Sequence, residues 1–240
     1  MTAERPDRFA VGFARETARS STARLSSVCV EMLAVTGVGI SVMGADHGGP
    51  MCVSDSSVAA LEDLQYTVGQ GPCRDAYDSG VPVLAPRLDA VAWARWPSFV
   101  HLAQARRIGA VFAYPLIAGG APIGVIAVYQ HVEGELTSSQ HQDCVGLAAI
   151  LAETVLSLQD DAPAGTLATG LDDIVRYRAE IYQASGMVSI QLSIPAPEAV
   201  VRIRAHAYAT SQTVAAVAAE IVARRLRLPK DGSIDTESYE

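Results

Sequence analysis

The sequence predicts an α+β fold in two parts, an antiparallel sheet with flanking helices ahead of a compact bundle of three helices. Three observations predict it. Short apolar runs bounded by glycine and proline, from Val38 to Met43, Ala110 to Leu116 and Ile123 to Gln130, read as strands. Stretches with apolar residues at steps of three and four, before, between and after those runs, read as helices. From Leu171 the helical periodicity continues with no further strand signal, and two breaks divide it into three.

A chain of 240 residues, half of them apolar, is long enough for one good core plus a smaller domain. There is no run of eighteen uncharged apolar residues, and the opening MTAERPDRFAVGFARETARS carries charges where a secretory signal needs an apolar stretch. The expectation is a cytoplasmic protein without a membrane partner. Its four cysteines, Cys29, Cys52, Cys73 and Cys144, are scattered and form no CxxC pair, which argues against a zinc knuckle or a disulfide framework.

The formal charge of −8 speaks against nucleic acid, but its distribution is uneven. Residues 1–171 hold ten arginines and seventeen acids; residues 172–230 hold eight bases against five acids; residues 231–240 hold four acids and no base. The one positive stretch is therefore the helical part.

In chain order, residues 8–35 carry an amphipathic helical pattern read as a packing or dimer helix. The run from Val38 to Met43, a turn at 45–50 and a return from Met51 to Ser56 predict a hairpin. Leu61 to Ser79 reads as an irregular helical excursion with a short helix from about Cys73; its Gly69-Gln70-Gly71-Pro72 matches neither phosphate-loop spacing. A short strand from Val81 to Leu84, a tight corner from Trp93 to Pro97 and a helix from Phe99 to Arg107 follow. Two apolar strands joined through Ala118-Gly119-Gly120-Ala121-Pro122 predict a second hairpin, and a long helix from Ser138 to Leu158 closes the domain. This order implies a central sheet with helices on one face. Residues 159–170 read as a linker and 231–240 as a disordered acidic tail.

VGQGPCRDAYDSGVPV, WARWPSF, GAVFAYPL and PIGVIAVYQ, followed by the closing helix, resemble a GAF domain over roughly residues 10–158. The resemblance implies a ligand-sensing, dimerising fold, assigned here to 8–158, with a small-molecule ligand whose identity and binding residues stay unknown.

The helical part, 171–230, starts with Leu171, Ile174, Tyr177, Ile181, Ala184, Val188 and Leu192 on one helix face. Ile194-Pro195-Ala196-Pro197 stops that helix and starts a second carrying Val200, Ile203 and Ala207 inward. Thr210 to Thr213 precede a third with Val214, Val217, Ile221 and Val222. Within it, Ala184-Ser185-Gly186-Met187-Val188, Ile203-Arg204, Ala207, Ser211 and Val217-Ala218 resemble the ANTAR family, with Ser185 where many members carry lysine. That resemblance implies a three-helix RNA-binding module that stabilises paired hairpins in nascent transcripts and so antiterminates transcription. Candidate RNA-binding residues are Ala184, Ser185, Gly186, Arg204, Ala207, Tyr208, Ser211 and Gln212. Arg204 suits the role because its planar fork grips phosphate or a base edge; Tyr208 offers a stacking face.

Enzyme chemistry needs a nucleophile with a base, a metal cluster or paired carboxylates, and none stands out. His131, His141, Asp143 and Cys144 lack a familiar ligand spacing, so no catalytic residue, metal or cofactor is named. Cys73, near a helix N-terminus beside Arg74, has an environment that can lower a thiol pKa, against the reading as a small buried packing residue. Trp93, Trp96, Tyr66, Tyr77 and Tyr114 are core aromatics or the lining of a ligand pocket. The sum is a homodimeric, non-enzymatic regulator with hairpin RNA as partner. The alternative is a ligand-sensing or protein-interaction module whose bundle serves dimerisation.

Overall fold

The computed structural model describes residues 25–43, 48–160, 172–210 and 212–229. The chain divides into two compact units, Met1–Ile174 and Val175–Glu240.

In the first unit the helix α1 (Leu25–Leu33) leads into β1 (Gly37–Met43) and β2 (Gly48–Val53), then α2 (Ser56–Val68), α3 (Pro72–Ser79), β3 (Val83–Ala85), α4 (Ala90–Arg95), α5 (Pro97–Ala105), β4 (Ala110–Ala118), β5 (Ala121–Gln130) and α6 (Ser138–Asp160). The strands form one antiparallel sheet in the order β2-β1-β5-β4-β3. Strands β4 and β5 join at Gly119-Gly120, as the second predicted hairpin requires. The predicted helix over 8–35 is seen from Leu25 to Leu33 and ends two residues early, and its 8–24 part, the 45–47 part of the first turn, most of the 159–170 linker and the 231–240 tail lie outside the described residues.

Helices cover both faces of the sheet, not the one face expected. On one side Val38, Ile40, Phe112, Tyr114, Ile126 and Val128 pack with Leu25, Cys29 and Leu33 of α1 and with Leu147 and Leu151 of α6. On the other, Val111, Ala113, Val125, Ala127 and Tyr129 pack with residues of α2 to α5 such as Leu61, Cys73, Ala76 and Phe99. Side chains alternate across a strand, so β4 and β5 are apolar at every inner position because both faces are covered. Their unbroken apolar runs carry that information.

Three further elements differ from the sequence expectation. The second strand ends at Val53 instead of Ser56, because Asp55 caps a helix: its Oδ1 accepts from the backbone N–H of Ser57 at 2.7 Å and of Val58 at 3.0 Å. Ser54 Oγ meanwhile donates to Asp55 Oδ2 at 2.8 Å and accepts from Val38 N at 3.1 Å, tying the cap to β1. The irregular excursion is thus two regular helices, α2 and α3. Lastly, the corner from Trp93 to Pro97 is the junction of α4 and α5, with Pro97 in the first turn of α5, where its missing N–H costs nothing.

The second unit holds α7 (Asp172–Leu192), α8 (Ala196–Ala209) and α9 (Val214–Val222). Ile181, Ala184 and Val188 on α7, Ala199, Ile203 and Ala207 on α8, and Val214, Val217, Ala218 and Ile221 on α9 are all buried. Ala199 is inward where Val200 was expected; Val200 is half-buried. Thr213 caps α9 by accepting from Ala216 N at 3.0 Å, and Gln191 Nε2 on α7 donates to Leu228 O at 2.6 Å, beyond α9.

Asp55→Ala removes a cap with two backbone partners and is expected to lower stability by about 1 kcal/mol. A urea denaturation midpoint unchanged from the parent's would show that the cap is not what ends β2.

Candidate functional site

The inward stripe of α2 is Val58, Leu61, Glu62 and Gln65, spaced three, one and three, and two of its four residues are polar. Opposite them β1 presents Gly37, Gly39 and Ser41, every second residue on the face toward α2. A Cβ on Gly39 would lie 2.6 Å from Glu62 Oε1, so only glycine there admits the carboxyl group. Small residues on the strand thus make the slot that Glu62 fills.

Inside that slot every polar atom is accounted for. Glu62 Oε2 accepts from Ser41 Oγ at 2.8 Å, and Oε1 accepts from Tyr129 OH at 2.7 Å and from Cys73 Sγ at 3.6 Å. Gln65 Oε1 accepts the Cys73 backbone N–H at 2.8 Å, which fixes the amide so that its Nε2 donates to Tyr129 OH and Cys73 Sγ, both at 3.2 Å. Two short relays therefore run from one amide to one carboxyl group, through a phenol and through a thiol. Gly71, at φ 149°, lets the chain pass so close to Gln65 that a side chain at that position would strike it. This is the physical content of the GQGPC stretch: glycine clearance, then a helix start that lays Cys73 against Gln65.

Burial pushes the Glu62 carboxyl group above its ordinary value, outweighing the hydrogen bonds from Tyr129, Ser41 and Cys73 that favour its charge. Burial, then the neighbouring Glu62, also holds Cys73 well above the usual thiol value, and the same two causes in the same order raise Tyr129. Cys73 is therefore not an activated thiol, because desolvation outweighs the helix N-terminus. The buried-packing reading of this residue stands, with the addition that its Sγ is a link in a hydrogen-bonded ring.

The other singled-out residues are dispersed. Trp96 is buried, and its Nε1 donates to Asp75 Oδ2 at 2.9 Å; Asp75 also meets Arg95 Nε at 2.6 Å, while the Arg95 guanidinium lies 4.8 Å from the Trp96 ring centre. The WARWPSF stretch thus fastens the α4–α5 junction to α3. Trp93 is largely exposed, and Tyr66 and Tyr77 are half-buried. His131 Nδ1 lies 2.9 Å from Arg107 O and His141 Nδ1 2.9 Å from Tyr114 OH, so the two histidines have separate partners.

In the helical unit, Ala184, Ser185 and Ala207 are buried, which makes them packing positions and not surface groups. Ser185 Oγ donates to Tyr182 O at 2.9 Å. Gly186 is half-buried, and a Cβ on it would meet open space, so close approach of a neighbour is not what puts glycine there. Arg204 is half-buried; Tyr208 and Gln212 are exposed. Val201, Arg204 and Tyr208, three and four apart, share one face of α8. Burial lowers the pKa of His206 on the same helix, which leaves it uncharged at neutral pH. Ser211 lies outside the described residues.

Residues 18–157, more than half of the chain, match the family model of the GAF domain. The chain belongs to the GAF domain family. Among solved structures, the GAF domain of a phosphoenolpyruvate-protein phosphotransferase from Coxiella burnetii superposes with a TM-score of 0.52 at 14% identity, over 67% of this chain and 98% of that one. The GAF domain of an Acinetobacter phosphoenolpyruvate-protein phosphotransferase gives a TM-score of 0.49 at 10% identity, over 68% and 99%. No match was found among curated proteins. The first unit is accordingly a GAF sensing module, of a family whose members commonly bind small molecules. Among the described residues no helix is long and apolar enough to cross a membrane.

The Glu62 ring of this GAF unit was not legible as a site, since Glu62 and Gln65 fall in the stretch that reads as an irregular helical excursion. The signal that could have found it is the alternation of Gly37, Gly39 and Ser41 on a strand whose other face is Val38 and Ile40. A proton on Glu62 is held more tightly in the folded state than in the unfolded one, where the pKa is about 4.3. Its contribution to stability is complete below that value and is lost as the pH rises through the raised folded value. Glu62→Gln keeps the shape but cannot ionise. It carries a pH-independent cost, because its amide brings donors to partners that already donate. The expected result is that the stability difference between variant and parent moves in the variant's favour from about pH 5 to about pH 8, followed by urea denaturation. A difference constant over that range would show that Glu62 does not titrate there.

Proposed function

We propose that this chain is a signal-responsive RNA-binding regulator, in which the GAF unit senses a small molecule and the helical unit is an ANTAR-like module that grips paired hairpins in nascent transcripts and so antiterminates transcription. The observation that carries the reading is how the ANTAR-like pattern distributes over α7 to α9. Of its apolar positions, Ala184, Val188, Ile203, Ala207, Val217 and Ala218 are fully buried and Met187 is half-buried, as is Arg204, while the further candidate contacts Tyr208 and Gln212 stand at the surface. The pattern thus supplies the core of a bundle, and the candidate contacts outside it supply what the bundle presents.

The chemistry of that face suits single-stranded loops better than duplex DNA. An exposed tyrosine offers a stacking surface to an unpaired base, and a guanidinium one turn away serves phosphate or a base edge. The surplus of three positive charges over 172–230, eight against five, is modest, so stacking and hydrogen bonds carry more of the affinity than general phosphate attraction does. As a homodimer the protein would hold two such modules together, and the second hairpin would bind at a raised effective concentration. Ligand binding in the GAF unit would act by favouring one arrangement of the two modules over another.

A second reading rests on Ile190 and Val201, which are 84% and 60% exposed on α7 and α8. Exposed aliphatic residues of this kind fit a helical unit that serves dimerisation. It predicts an assembly that weakens when Ile190→Ser and Val201→Ser are introduced, together with no selective retention of RNA.

The deciding measurement is retention of structured cellular transcripts by the purified full chain at fixed salt, followed by titration of the retained RNAs. Leaders with paired hairpins are expected to be enriched. Tyr208→Ala is expected to weaken their binding by about tenfold through loss of one stacked base, and Arg204→Ala by a similar factor. Affinities unchanged in both variants, with helical circular dichroism intact, would remove this face from RNA recognition.

A further inference from the structure

We propose that a cavity of about 520 Å³ at one corner of the GAF sheet is a binding site for a small aromatic molecule bearing a hydrogen-bonding, preferably cationic, substituent. It lies on the face of the sheet that carries α1 and α6, away from the Glu62 ring on the opposite face.

The cavity arises from a mismatch between the sheet and the layer that covers it. Leu84 of β3 and Phe112 of β4 are cross-strand partners, so their side chains share one face. The N-terminal part of α6 covers β4 at this end of the sheet, and Phe112 is 2% exposed; Leu84, one strand further out, is 48% exposed. The uncovered strip beside α6 is the cavity, with Phe112 and Tyr114 as its inner wall and Leu84, Pro86 and Leu136 around them. Its volume falls in the range of small-molecule sites, roughly 300–1,000 Å³. Two aromatic rings at the back and aliphatic groups at the sides suit a flat ring.

One end of the cavity is polar. Tyr114 OH, itself buried, lies 2.9 Å from His141 Nδ1, and the two rings sit at 5.5 Å between centres with a 54° tilt. Burial, then the neighbouring Cys144, raises the Tyr114 pKa, so its hydroxyl keeps its proton and remains a hydrogen-bonding group. Ser138 and Gln142, on the first turns of α6, add a hydroxyl and an amide, and Glu135 brings a full negative charge to the rim. A ligand with an anionic group would meet that carboxylate, whereas an amine would be drawn to it. The lining thus sets ring, substituent and sign of charge together. The proposal goes beyond the RNA reading and does not depend on it.

The test uses the full chain and three probes with one ring and differing charge: tyramine, its neutral alcohol analogue tyrosol, and 4-hydroxyphenylacetate. Calorimetric and ligand-observed magnetic resonance titrations at low salt are expected to show tyramine binding with a Kd on the order of 0.1–1 mM. Tyrosol should bind more weakly, and the anion not at all up to about 10 mM. Glu135→Gln should bring tyramine to the affinity of tyrosol. Leu84→Trp and Ser138→Trp fill the cavity from opposite sides at positions open to solvent, and each should weaken tyramine by about tenfold or more. Either variant with an unchanged melting temperature suffices. Absence of binding by both tyramine and tyrosol, or equal binding of all three probes, would overturn the ligand class. Tyramine binding that survives the tryptophan substitutions would overturn the location. Neither result bears on RNA retention, which is measured without the probes.

Discussion

A carboxyl group buried without a cation is the constraint on which the GAF unit depends. Glu62 of α2 sits at 3% exposure against two strands and a second helix, and its stability there requires that every oxygen be met by a donor. Ser41 from β1, Tyr129 from β5 and Cys73 from α3 supply those donors, so one side chain of α2 ties its helix to three other elements. The glycines at 39 and 71 are consequences of this requirement. One gives the carboxyl group its space on the sheet, and the other lets the chain turn against Gln65. Hydrogen bonds in such a ring are directional where apolar packing is not, so the ring fixes the register of α2 along β1 as well as its distance from the sheet.

The parts of this fold that were legible in the sequence are those where a single period dominates. The strands β4 and β5, the hairpin between them, the long α6 and the alternation of threes and fours in α7 each write one pattern into consecutive residues. Layering was not legible. A strand apolar at every position reads the same whether its second face meets helices or another sheet, and only contacts from distant residues decide it. The end of β2 was misplaced because Ser54 and Asp55 serve two elements at once, one bonding back to Val38 and the other capping α2. The Glu62 ring was missed for a related reason: its members are 21 to 67 residues apart from Glu62 in two of its bonds, to Ser41 and to Tyr129. No local pattern spans such distances.

Within the helical unit, the candidate RNA-binding residues divide by size. Small ones, Ala184, Ser185 and Ala207, are buried and set how closely helices can pack. Larger polar ones, Tyr208 and Gln212, are at the surface. A reader of the sequence alone naturally assigns all of them to one surface, because a motif records which residues recur and not which way they face. The distinction matters for interpreting variants. A change at Ala184 or Ala207 acts first on the packing of the bundle, whereas a change at Tyr208 acts on whatever the bundle touches.

The two outermost strands of the sheet are β2 and β3. An outer strand normally offers a row of unused backbone donors and acceptors to any passing chain. Here β3 is only three residues long, and β2 carries Pro50, which lacks an N–H to offer. The β3 edge is therefore short, and Pro50 interrupts the residues of the β2 edge. A chain that meets either edge finds few backbone groups in register to pair with. Short and interrupted edges of this kind close a common route to aggregation.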